Sequence, residues 1–268
     1  MNLSFTTLGC PQWDLDTIIR RAAESGYAAV DFRGVQETLD VTTLPAFTTG
    51  VAETKRKLAD AGLAVSGISS SIQVCQAGKY AANRDEARRT IAVATALECP
   101  NVRIFGGKID LAQRLAAAES GRKCVEAILA LDGARDLHWL FETHDHWIRK
   151  ADCQLLLDRI PNPEFGVLWD IEHTVLGGET PAETYAAHGQ RIGYTHFKDA
   201  VRDSQGEWHG VLPGTGELPL AEAVRVLKAG GYTGYLVFEH EKRWQPSLPE
   251  PEVALPAFVR WARPFLCS

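Results

Sequence analysis

Four side chains able to hold a cation or move a proton stand at matching places in the second half of the chain. Glu142 lies in HWLFETH, Asp170 in GVLWDIEH, His196 in IGYTHFKD and Glu239 in GYLVFEHE. Each segment reads as a short strand, and each of the four residues falls shortly before its end. Three of them follow an apolar pair directly: LF before Glu142, LW before Asp170 and VF before Glu239. A carboxylate so close to an apolar interior must be paired, protonated or metal-bound, and one ion satisfies all three. Three carboxylates and an imidazole make a mostly oxygen set, which suits Mn²⁺ or Mg²⁺, admits Co²⁺ or Zn²⁺, and lacks the thiolates of structural zinc. Such an ion keeps positions open for two substrate oxygens, as in a vicinal hydroxy-ketone. Taken singly, each residue also has a plainer reading as a helix cap, a loop ion pair or a rim hydrogen bond.

Bringing four such groups together is a task for the fold. Eight strand candidates run along the chain: LSFTT near Leu3, AAVDFR ending at Arg33, LAVSGISS ending at Ser70, NVRIFGG ending at Gly107, and the four above, ending at His144, His173, Asp199 and Glu241. Amphipathic stretches such as DLDTIIRRAAESG, VAETKRKLADAG and LAEAVRVLKAGG lie between them. Gly26, Gly62, Gly133, Gly189 and Gly230 stand where helices should close in the left-handed conformation. Strand and helix alternate at roughly 33 residues per unit, which predicts an α/β chain folded as a single-domain (β/α)8 TIM barrel over residues 1–268. The competing doubly wound sheet normally announces itself by G-x-G-x-x-G after the first strand, and TTLGCPQWD has none. In a barrel the four residues converge at the C-terminal mouth.

Composition narrows the partners. A formal charge of −6 gives no field to draw in a phosphate backbone, so nucleic acid is not expected. No apolar run reaches the roughly 18 residues of a membrane span, and MNLSFTTLGCPQWDL lacks a basic start followed by an apolar stretch, so neither export nor membrane insertion is expected. Six cysteines (Cys10, Cys75, Cys99, Cys124, Cys153 and Cys267) occur without any C-x-x-C, as reduced thiols in a cytoplasmic setting would.

FETHDHW, WDIEH, THFKD, LPGTGELPL and VFEHE together resemble the sugar phosphate isomerase and epimerase superfamily of xylose-isomerase-like barrels, which includes ketose 3-epimerases and inosose-processing enzymes. H-x-K-D followed by P-G-x-G is the more specific part of the pattern, and the resemblance spans essentially the whole chain. It implies a divalent-metal-dependent isomerase or epimerase of a sugar, keto-polyol or sugar derivative. Glu142, Asp170, His196 and Glu239 would hold one ion, Mn²⁺ foremost, with His173 and Lys198 lining the substrate site. Glu142 and Glu239 would remove and return a proton beside the carbonyl through a metal-stabilised enediolate, their order left open. A homo-oligomer is in keeping with the resemblance. The superfamily's DNA-repair endonuclease relies on histidines from earlier strands; all eight histidines here lie after residue 137, so phosphodiester cleavage is not expected.

Other residues have two readings each. Lys198 shares the strand face of His196 and could grip a substrate hydroxyl or phosphate, or pair with Asp199 or another rim carboxylate. His173 could bond a substrate oxygen or only the backbone. Arg33 and Lys108, ending strands two and four, could bind an anionic group or form ordinary salt bridges. His144 and His146 flank Asp145 in a rim loop, with His144 a substrate-binding candidate. Trp13, Trp147, Trp208 and Trp244 could pack on a sugar or in the core. Glu241 could support Glu239 from behind, and the amides of LPGTGE could approach a phosphate. The expected partner is a small carbohydrate or polyol. Two rival functions remain: a lyase dehydrating a keto-polyol of inosose, dehydroshikimate or 3-keto-sugar type, with His173, His144 or Lys198 as proton donor, and a non-catalytic sugar-binding barrel.

Overall fold

The computed structural model describes residues 1–266, so Cys267 lies outside the described residues. The barrel strands are β1 (Asn2–Thr6), β2 (Ala29–Phe32), β3 (Ala64–Gln73), β4 (Asn101–Phe105), β5 (His138–Glu142), β6 (Phe165–Asp170), β7 (Ile192–Phe197) and β10 (Tyr235–Phe238). A hairpin of β8 (Asp199–Arg202) and β9 (Trp208–Val211) stands apart from them. The eight parallel strands close in the order β1-β10-β7-β6-β5-β4-β3-β2, the predicted (β/α)8 barrel.

The helices are α1 (Leu15–Ser25), α2 (Val51–Asp60), α3 (Tyr80–Ala96), α4 (Arg114–Leu129), α5 (Lys150–Arg159), α6 (Ile171–Leu176), α7 (Pro181–His188), α8 (Leu220–Ala229) and α9 (Pro251–Leu266). Their apolar stripes face the strands. In α1, Ile18, Ile19 and Ala22 are buried, and the Asp14 carboxylate accepts the Thr17 amide at 2.8 Å to begin the helix. Strand residues alternate between two interiors. Trp139, Phe141, Trp169 and Phe238 point outward into the core shared with the helices, whereas Leu140, Leu168, Tyr194 and Val237 pack together inside the barrel. Cys10, Cys75, Cys99, Cys124 and Cys153 are free and buried, small apolar fillers in these cores.

Three expectations need correcting. The last four barrel strands stop earlier than their patterns suggest: Glu142 and Asp170 end β5 and β6, and Glu239 follows β10. WDIEH breaks after Asp170, whose side chain takes the His173 amide and starts α6, a helix hidden behind the apolar run. Left-handed glycines are found at Gly26, Gly62 and Gly133, but Gly189 (φ −50°) and Gly230 (φ −86°) are right-handed. A short 3-10 turn continues from α7 at Gly189, and after α8 it is Gly231 that takes φ +79°.

Candidate metal centre and substrate site

The barrel geometry explains why four separate strands can build one centre. A residue at a C-terminal strand end on the lumen face points into the mouth, and the residue two positions before it forms the layer beneath. Leu140 underlies Glu142, Leu168 underlies Asp170, Tyr194 underlies His196 and Val237 underlies Glu239. One ligand-capable atom from each of Glu142, Asp170, His196 and Glu239 lies within 4.8 Å of the others, and all four residues are buried.

His196 Nδ1 stands 3.0 Å from Glu142 Oε1 and 3.2 Å from Glu239 Oε1. The outer oxygen of each glutamate is held by a cation: Arg103 Nη1 lies 3.2 Å from Glu142 Oε2, and Lys198 Nζ lies 2.7 Å from Glu239 Oε2. The same ammonium sits 2.8 Å from Asp170 Oδ2, 3.2 Å from Glu241 Oε1 and 3.5 Å from Glu172 Oε2. Burial alone would raise both glutamates, yet Arg103 and His196 hold Glu142, and His196 and Lys198 hold Glu239, well below the usual carboxylate range. Burial carries Asp170 up to about 7 against the pull of Lys198. Burial opposes the charge of His196, but Glu239 and Glu142 lift it to about 10. Lys198 is likewise held cationic against burial by Asp170 and Glu239.

This donor set fits a divalent ion. Three carboxylates and one imidazole converge at short range, and His196 Nε2 is buried with no hydrogen-bond partner, a ring nitrogen able to ligate a cation. The cluster could therefore bind a metal.

The other candidates divide. Lys198 joins the centre and makes no pair with Asp199. Asp199 instead accepts the amides of Gly214 (2.8 Å), Gly216 (3.0 Å), Leu218 (3.3 Å) and Ala200 (3.0 Å). The LPGTGE amides that might have met a phosphate thus clamp their own loop. His173 lies on α6 with Nε2 3.8 Å from Asp170 Oδ2, and burial together with Lys198 and His144 pushes it down to about 4. Its ring meets that of His144 edge-on at 4.6 Å, and His144 in turn packs against Phe105 at 5.0 Å. Glu241 accepts a hydrogen bond from Lys198, the same ammonium that bonds Glu239. Lys108 is exposed and outside the cluster, and His146 Nδ1 accepts the Ile109 amide, a loop-holding role. Trp147 is fully buried and bonded to Gly107, a core residue; Trp244 is 54 % exposed, while Trp13 and Trp208 are half-buried.

Among the described residues Arg33 forms no salt bridge: it is buried, and its guanidinium Nη1 has no hydrogen-bond partner. Sequence reasoning missed Arg103 and Glu172. Arg103 had a visible signal, a charge alternating with apolar residues within NVRIF, but its meaning depends on the partner strand that supplies Glu142.

A closed parallel barrel with a carboxylate and imidazole cluster at its mouth defines the class, a (β/α)8 protein with a candidate metal centre. The chain belongs to the xylose isomerase-like TIM barrel family, whose model matches residues 19–264. It is 28% identical over 145 residues to an inosose dehydratase of Lacticaseibacillus casei, a match taking in 47% of this chain and 48% of that one. The chain thus spans about half the length of that relative. Among solved structures it is similar to D-psicose 3-epimerase (TM-score 0.77, 15% identity, 100% of both chains). It is also similar to the IOLI protein with a bound zinc atom (TM-score 0.78, 13% identity, 100% of both chains). Among the described residues no helix is long and apolar enough to cross a membrane.

Proposed function

We propose that the protein is a divalent-ion-dependent isomerase or epimerase of a small polyhydroxylated carbonyl compound, a sugar, keto-polyol or sugar derivative. The carrying observation is the convergence of Glu142, Asp170, His196 and Glu239 within 4.8 Å at the barrel mouth. These four would hold the ion, with Mn²⁺ the best match to the donor set and Mg²⁺, Co²⁺ or Zn²⁺ compatible. When bound, the ion supplies Lewis acidity that polarises a carbonyl and eases loss of the neighbouring proton by several kcal/mol.

The residues supply the proton transfer. Glu142 and Glu239 face each other across His196, each fixed by a cation on its outer oxygen, so each presents one oxygen inward. One carboxylate takes the proton from the carbon beside the carbonyl, and the C–H electron pair moves towards the carbonyl oxygen. The partner glutamate takes up a proton from water at the mouth, matched by the one the first glutamate later releases; delivered to the same carbon from the opposite face it gives the epimer, and delivered to the adjacent carbon, with the hydroxyl proton passing to the former carbonyl oxygen, it gives the isomer. Lys198 and His173 line the approach and orient substrate hydroxyls, with His144 beside them.

Dehydration is the second reading, favoured by the His144–His173 pair at the same mouth, where an imidazole could hand a proton to a departing hydroxyl, and by the name of the Lacticaseibacillus relative. Metal analysis followed by incubation of ketoses, inososes and keto acids in D₂O with Mn²⁺ or Co²⁺ tests both. One equivalent of ion with deuterium entering an epimeric or isomeric product is the expected result. Loss of water from the substrate would install the lyase reading, and absence of ion binding under every condition would sink both.

A further inference from the structure

Arg33 follows β2 and lies two residues beyond Asp31, whose carboxylate is bonded inside the lumen to Ser69 at 3.1 Å and Tyr194 at 3.0 Å. Strand alternation therefore sends the Arg33 side chain along the same lumen face, one layer nearer the mouth. The residue is only 7 % exposed. Its backbone amide bonds Thr7, but among the described residues nothing hydrogen-bonds or ion-pairs with its guanidinium, and Nη1 is buried without a partner. The neighbouring cations are both engaged, Arg103 by Glu142 and Lys198 by its four carboxylates. Burial and the like charge of Arg103 push Arg33 down to about 9, still cationic at neutral pH.

Glu86, Glu142 and Asp31 attract it from a distance, but none bonds it. A buried guanidinium with no bonded counter-charge is costly, and a hydroxyl cannot neutralise it; an anion with two coplanar oxygens can, through the parallel bonds that this fork makes best. A phosphate ordinarily gathers several donors, including backbone amides of a glycine-rich loop, and the loop of that kind near the mouth is committed to Asp199. We propose that Arg33 anchors a carboxylate of the substrate, so that the compound turned over is a polyhydroxylated keto acid with its acid group on the β2 side and its carbonyl towards the cluster. This rests on the mouth being the substrate site.

The test is calorimetric titration of the Mn²⁺-supplemented protein with three matched pairs: glycerate and glycerol, gluconate and glucitol, glucuronate and glucose. The wild-type protein should prefer at least one acid over its neutral counterpart by about 10- to 100-fold, the scale of charge-assisted hydrogen bonds. Arg33→Gln should erase that preference while leaving neutral binding and Mn²⁺ stoichiometry unchanged, and Arg33→Lys should keep part of it. Absence of any acid preference in the wild type, or equal weakening of acid and neutral by Arg33→Gln, would overturn the assignment, as would inorganic phosphate binding more tightly than every acid. Acid preference lost in Arg33→Gln without deuterium exchange into any compound would uphold the anchor and defeat the enzymatic reading. Deuterium exchange into a ketose or keto acid with no acid preference in the wild-type protein would do the reverse.

Discussion

In β5, β6, β7 and β10 the lumen-facing side chains climb from a bulky floor to a ligand-capable group in a single step: Leu140 to Glu142, Leu168 to Asp170, Tyr194 to His196, Val237 to Glu239. In β1 to β4 the lumen is polar well below the mouth. Ser4 bonds Ser66 at 2.6 Å, Ser66 bonds Tyr194 at 2.7 Å, and Tyr194 and Ser69 both reach Asp31. One half keeps its polar atoms at the rim and leaves them to converge on each other; the other spends them on a buried hydrogen-bonded column, leaving Arg33 as the group at its top without a partner. On the proposed function, the first half would carry the chemistry and the second would support it and hold the substrate's anion.

The most severe way to break this contrast is to remove a ligand from the first kind of half. Asp170→Asn and His196→Ala should each abolish stoichiometric divalent-ion binding and cut turnover by about 10³-fold or more, the loss of several kcal/mol of transition-state stabilisation. Circular dichroism should remain that of a folded barrel. Ser69→Ala, in the polar column of the other half, should retain the ion. Elemental analysis of the three variants decides the matter, and full occupancy in Asp170→Asn and His196→Ala would refute the ligand set.

The same contrast explains what the sequence made legible. In the second half, an apolar pair followed by a charge encodes three things at once: an inward floor residue, an outward core residue and a ligand-capable group at the rim. Glu142, Asp170 and Glu239 could therefore be found by pattern, and His196 by its place in THFKD. The barrel itself followed from the count of alternating strands and helices. The supporting half has no such signature, because Asp31, Ser66 and Arg103 acquire their partners only when strands distant in sequence close the barrel. Likewise α6 was hidden because Asp170 both ends a strand and caps a helix, and β8 was hidden in the continuation of β7 past Lys198.

Stability should divide along the same line. Leu168 is fully buried in the floor, so Leu168→Ala should cost about 2–5 kcal/mol through lost burial and a residual cavity. Ser4→Ala removes one hydroxyl from the polar column, which keeps the Ser66–Tyr194 bond, and should cost about 1 kcal/mol. Urea denaturation of the two variants measures the difference; equal losses would mean that the column bears as much of the fold as the floor.

The smallest expected effect concerns pH. Every histidine lies in the second half. His188, which ends α7, is 2 % exposed, with neither ring nitrogen hydrogen-bonded. Burial lowers its pKa below the ordinary 6.5, outweighing the attraction of Glu179. The unfolded chain therefore binds a proton that the folded chain resists, so stability is full above about 6.5 and falls as pH drops from there towards the folded value, by no more than about 1.4 kcal/mol per pH unit. Glu86, on α3 in the other half, has the opposite sign: burial raises its pKa above 4.5, so its contribution is greatest in acid and is lost as pH rises through the raised value. Asp170 and His196, whose pKa values are raised, act in the opposite sense, so the contribution of His188 is read as a difference: between pH 7.5 and pH 5.5 the melting temperature of His188→Gln should fall less, or rise more, than that of the wild-type protein. Hydrogen exchange over the same range should loosen α7 and its neighbours α5 and α8 before β1 to β4. Loosening that begins in β1 to β4 would show that the acid sensitivity belongs to the polar column and not to the half that carries the histidines.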